Sequence, residues 1–165
     1  MKFDSVKEYF YKLNTTGYQL MIVPLLPFIL FYSQSFVDLS WLVLFSEAIS
    51  NILFLGLCGF GLITLTVVQI MTIRKAKTIA REVGLGIKLE KLGEVLTRKM
   101  KVHAIMVTLM PVALLVTGYG YFSIAFGVLS LWFFFQWPTP GRVCRLLQLR
   151  GDEQKMVITR GEAFK

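Results

Sequence analysis

Three stretches of this chain carry no formal charge: Leu13 to Val37, Ala48 to Ile73 and Ala104 to Gly141. A helix needs about 20 apolar residues to cross the roughly 30 Å hydrocarbon core of a bilayer. The first two stretches each match one crossing. The third holds 38 residues, too many for one crossing and suited to two short ones. Gly118-Tyr119-Gly120-Tyr121 near its middle supplies the break, because glycine takes up turn conformations that other residues resist. In lipid every backbone N–H and C=O has to be satisfied internally, so a spanning segment is a helix or a strand of a closed barrel. These segments lack the period-two alternation of barrel strands. The expected fold is an all-α membrane protein with four transmembrane helices, paired as two hairpins. The spans are expected at residues 17–34, 48–73, 102–117 and 122–137, with an arm at 74–101 and a tail at 138–165.

The basic residues orient these spans. Lys2, Lys7 and Lys12 precede the first span; nine Lys and Arg lie between the second and third, from Arg74 to Lys101; six follow the fourth, from Arg142 to Lys165. Together they are all 18 Lys and Arg of the chain. The two opposite-side connections, around Gln34 to Ser40 and Gly118 to Tyr121, carry none, and the acids near them are Asp38 and Glu47. The positive-inside rule therefore puts both termini and the central arm in the cytoplasm. The same distribution accounts for the net charge of +8 without nucleic acid, and it favours anionic lipid at the cytoplasmic face. No small-residue cleavage site follows Met1 to Lys12, so the first apolar segment is read as a retained span rather than a signal peptide.

Within the spans a few residues stand out. Pro24 and Pro27 predict a kink in the first helix. Glu47 and Asn51 are four apart and share a helix face, with Ser50 beside them; Glu47 reads first as an interfacial or capping group and second as a contact for an ion or a partner. Gly56, Gly59 and Gly61 are candidates for helix packing, expected first within the chain and second between chains. Gln69 continues a polar trace down the same helix. Along the arm, Leu89, Leu92, Leu96 and Met100 recur at helical spacing, predicting a helix that lies among the headgroups or packs back on the end of the second span. His103, the sole histidine, is expected at the cytoplasmic edge as an interfacial residue. Trp137-Pro138-Thr139-Pro140 predicts the end of the fourth span, Arg142 to Leu149 a short surface helix, and the last fifteen residues a polar, mobile tail.

The second half of the chain has a familiar outline. Arg74-Lys75, the spacing from Lys88-Leu89 to Lys99, the hairpin, and Pro138-Thr139-Pro140 leading to Leu146-Leu147-Gln148-Leu149 and Asp152-Glu153 resemble small, functionally uncharacterised four-span bacterial inner-membrane proteins. The resemblance implies a plasma-membrane location and carries no activity.

No catalytic set emerges. Cys58 and Cys144 form no spacing motif, so neither a disulfide nor a metal site is expected, and one histidine does not make the axial pair of a b-type haem. No cofactor is expected. The leading expectation is a non-catalytic membrane subunit or scaffold of a larger complex, held by membrane protein partners or by self-association. A small oligomeric transporter or channel using Glu47, Asn51 and Gln69 is the alternative. A membrane enzyme acting on lipid or quinone, with His103 as acid or base, comes third; no acid lies within four positions of His103 to orient it.

Overall fold

The computed structural model describes residues 3–32 and 44–159, which form helices and the short links between them. The expected outer connection from Gln34 to Ser40, the end of the first span and the tail from Arg160 lie outside the described residues. Six helices follow in order: α1 Val6–Tyr32, α2 Glu47–Ile79, α3 Leu85–Thr117, α4 Tyr121–Phe135, α5 Pro140–Leu147 and α6 Gly151–Thr159. Three of them, α1 over Val6–Leu30, α2 and α3, are long and apolar enough to cross a membrane. There are four if α4 and α5, bent by 71°, count as one span.

Local chemistry sets the helix ends. Ser5 Oγ accepts the Glu8 N–H at 3.1 Å while the Glu8 carboxylate reaches back to the Asp4 N–H at 2.7 Å, a reciprocal cap that starts α1. α2 gives way to α3 at Gly84, whose φ of +93° few other residues tolerate. The expected hairpin turn after α3 is present. Gly118 takes φ +65°, and Thr117 Oγ1 accepts the Tyr119 N–H at 3.2 Å. Past α4, Pro140 sits at the first turn of α5, where its missing N–H is no loss.

The chain divides into two compact units. Unit 1 comprises residues 1–18, 67–100 and 137–165. It buries Tyr9, Phe10 and Leu13 of α1, Leu89 and Leu92 of α3, Val143 and Leu147 of α5, and Val157 of α6. Lys88 Nζ donates to both carboxylate oxygens of Glu153, at 3.1 and 2.9 Å, tying α3 to α6. Of the two placements expected for the arm, its leucines fit the packed one: they are core residues of a helical unit. One expectation changes here. The segment after Arg150, expected to be a mobile tail, forms α6, which packs on α5. Each short amphipathic helix finds an apolar neighbour in the other, which removes both faces from solvent.

Unit 2 comprises residues 19–66 and 101–136. Its core joins Val107, Met110 and Leu114 of α3 to Phe122 and Phe126 of α4. Phe28 of α1 stacks on Phe126 with ring centroids 4.4 Å apart, and Phe54 of α2 meets Phe122 edge-on at 5.2 Å. The Leu44 N–H donates to the Val116 carbonyl at 2.9 Å, so the start of α2 adjoins the end of α3.

Candidate functional site

α2 is the least covered of the long helices. Only 6% of its most apolar window is buried, against 56% for α3. A methyl group placed on Gly56, Gly59 or Gly61 would meet no atom within 4 Å. Gly56 is exposed, Gly59 half-buried and Gly61 buried.

Glu47 begins α2 and is exposed, as is Asn51 one turn later, while the intervening Ser50 is buried with its hydroxyl donating to the Ser46 carbonyl at 3.0 Å. Gln69 lies 18 residues beyond Asn51, about 27 Å at 1.5 Å per residue. Its Oε1 is buried and accepts no hydrogen bond among the described residues. On an ideal helix Glu47, Asn51 and Gln69 fall within about 40° of one another. The stripe between them is Leu55, Cys58, Leu62 and Leu65. The polar groups thus mark the two ends of a membrane-length apolar face and do not form a continuous polar track.

His103 is elsewhere. It sits on α3, 13 residues and about 20 Å from the Val116 turn that adjoins α2. It is 3% exposed. Its Nε2 lies 3.2 Å from the Leu129 carbonyl of α4, and its ring meets Phe133 edge-on at 5.1 Å. The histidine is a polar tie between α3 and α4. Burial and a backbone partner leave it no open face for acid–base chemistry. Among the described residues no three His, Cys, Asp or Glu side chains gather closely enough to hold a metal ion, and Cys58 and Cys144 are free thiols.

Two groupings in unit 1 escaped the sequence reading. Trp137 Nε1 donates to Asn14 Oδ1 at 2.9 Å, the Tyr18 ring lies 5.0 Å from the indole, and Gly17 leaves room for the ring's far edge. Asn14 and Gly17 in an otherwise apolar lead-in were the available signal. The second grouping is Lys99 with Arg142, whose Nη1 donates to the Trp137 carbonyl at 3.3 Å. Partial burial, and secondarily the Arg142 charge, push the Lys99 ammonium down to about 8 from 10.5. Between those two values the unfolded chain holds a proton that the folded chain has released, so stability rises with pH across that window and is lowest below pH 8. Lys99→Met is expected to abolish this rise and to melt above the parent at pH 7. Thermal melts in detergent at pH 7, 8.5 and 10 check it, and an unchanged pH slope in the variant would contradict the assignment.

No family profile, curated protein or solved structure gives a significant match to the chain.

Proposed function

We propose that this chain is a four-span inner-membrane protein with both termini cytoplasmic. We further propose that it serves as a non-catalytic subunit or scaffold, docked through α2 onto membrane protein partners. Charge supports the topology. Of the 18 basic residues, 17 belong to unit 1, and unit 2 carries Lys101 alone. The connections around Gln34 to Ser40 and Gly118 to Tyr121 carry no Lys or Arg, as the positive-inside rule requires of outward-facing segments. Single cysteines introduced at Lys75 and Lys155, in a background lacking Cys58 and Cys144, should resist an impermeant thiol reagent in intact cells and react after lysis. Labelling of either from outside overturns the topology.

The observation that carries the docking role is the open side of α2 at Gly56 and Gly59. Glycine in a helix interior weakens it by about 1 kcal/mol relative to alanine and offers lipid no side chain to pack against. Small residues bring a benefit where a second helix can approach closely. Gly56 and Gly59, one turn apart on one side of α2 and with nothing within 4 Å of an added Cβ among the described residues, fit a helix supplied by another protein. Native mass spectrometry of tagged protein, extracted from its own membranes in mild detergent, should show a partner at fixed stoichiometry that Gly59→Leu removes. A homo-oligomer would redirect the reading to self-association and to transport. A lone monomer in both forms would end it.

A further inference from the structure

Unit 2 holds a surface cleft of about 370 Å³ between α1 and α3. Leu20 and Val23 form the α1 wall; Ala104, Ile105, Thr108 and Leu109 form the α3 wall; Lys101 stands at one end. The walls are apolar in effect, because the one hydroxyl, Thr108 Oγ1, is already committed to the Ala104 carbonyl at 2.7 Å and presents its methyl group. Val23 and Ile105 are half or more open to the surroundings, at 50% and 57% exposure. Lys101 is exposed, and no carboxylate pairs with it among the described residues. It is also the only basic residue in the unit.

We propose that this cleft binds one anionic phospholipid, with an acyl chain against the α1 and α3 walls and the headgroup phosphate on the Lys101 ammonium. The dimensions agree. From Lys101 to Leu109 is about 12 Å along α3, most of the ~15 Å depth of one leaflet. The volume falls in the range of small-molecule sites, about 300–1,000 Å³. The chemistry agrees as well. A wholly apolar trough ending in one unpaired cation mirrors a molecule with a long apolar tail and one anionic head. A partner helix is the poorer occupant, because Leu20, Val23, Ile105 and Leu109 outnumber the small Ala104 and Thr108 in walls where helix seams prefer small residues, and the cation would need a buried acid opposite it. A soluble phosphate would have one ammonium and no second donor. The site does not depend on a protein partner, so it stands or falls separately from the docking role of α2.

The test uses the full-length protein in nanodiscs, with a trace of phosphatidylglycerol carrying a photoreactive group in mid-chain. Cross-links should concentrate on the peptides containing Leu20–Val23 and Ala104–Leu109. One lysine near the membrane surface contributes enough for about a fivefold preference for phosphatidylglycerol over phosphatidylcholine as competitor. Lys101→Gln should erase that preference while leaving the acyl-chain cross-links in place. Lys75→Gln should alter neither, and 10 mM inorganic phosphate (about ten-thousandfold above a micromolar dissociation constant) should not compete. Cross-links spread evenly over exposed α2 positions such as Leu62 and Ile63 would overturn the proposal. So would equal competition by the two lipids in the parent protein, or displacement by free phosphate. Melting temperatures of the variants close to the parent's ensure that the loss is local.

Discussion

Leu92→Ala is expected to destabilise the protein by about 2–5 kcal/mol, while Ile63→Ala changes stability by less than about 0.5 kcal/mol. Both replace a large aliphatic residue in a long helix. Leu92 is 0% exposed in unit 1, whereas Ile63 on α2 is 67% exposed. Removing the Leu92 side chain leaves a cavity walled by fixed neighbours, and interiors packed to crystal-like density relax only partly around such a gap. Removing the Ile63 side chain exchanges contact with lipid or detergent for more of the same. Thermal melts of both variants in one detergent, with limited proteolysis of the 74–101 and 138–159 segments, read the contrast. Equal shifts would mean that α2 is covered or that unit 1 is not packed in water-excluding fashion.

Gly17→Val should lower stability by about 1–3 kcal/mol through overpacking. A Cβ at position 17 would lie 2.7 Å from Trp137 Cη2 and 3.0 Å from Cζ2, closer than carbon atoms approach. The indole cannot swing aside without loss, because its Nε1 is bonded to Asn14 and its ring lies against Tyr18. Breaking that bond alone, in Asn14→Ala, should bring a smaller loss of about 1 kcal/mol. Tryptophan emission, taken as the difference from a Trp137→Phe reference, should shift to the red in Gly17→Val as the indole meets water. A melt and an emission identical to the parent's would show that the ring has room the geometry denies it.

The spans were readable because lipid demands one thing over a long run. The charge-free stretches located the apolar parts of α2 and α3, Gly118 marked the turn, and Trp137-Pro138 marked the end of α4 within two residues. Unit 1 was not readable for a matching physical reason. Its core draws on α1, α2, α3, α5 and α6, and each piece alone is too short to reveal what it faces. Tyr9, Phe10 and Leu13 read as a lead-in to a span, and the amphipathic face of α5 is compatible with a headgroup layer as much as with α6. The contacts of His103 were not readable because they depend on the register of Leu129 and Phe133 on another helix, the first of them 26 residues away in sequence. The glycines of α2 were visible at once, but only the structure reveals that an added Cβ at Gly56 or Gly59 meets nothing within 4 Å among the described residues.

Unit 1 is assembled from three pieces, residues 1–18, 67–100 and 137–165. Its buried side chains Val143, Leu147 and Val157 are synthesised after those that α1, α2 and α3 give to the same core. Until they emerge from the ribosome, Tyr9, Leu89 and Leu92 have no complete core to enter, however early they were made. Contacts of such long sequence separation form late, and apolar surface exposed in the meantime invites aggregation and proteolysis. A nascent or truncated chain is thereby distinguishable from a finished one. Premature termination before α5 would leave the spans intact while stripping the apolar cover from the arm, marking the product for quality control.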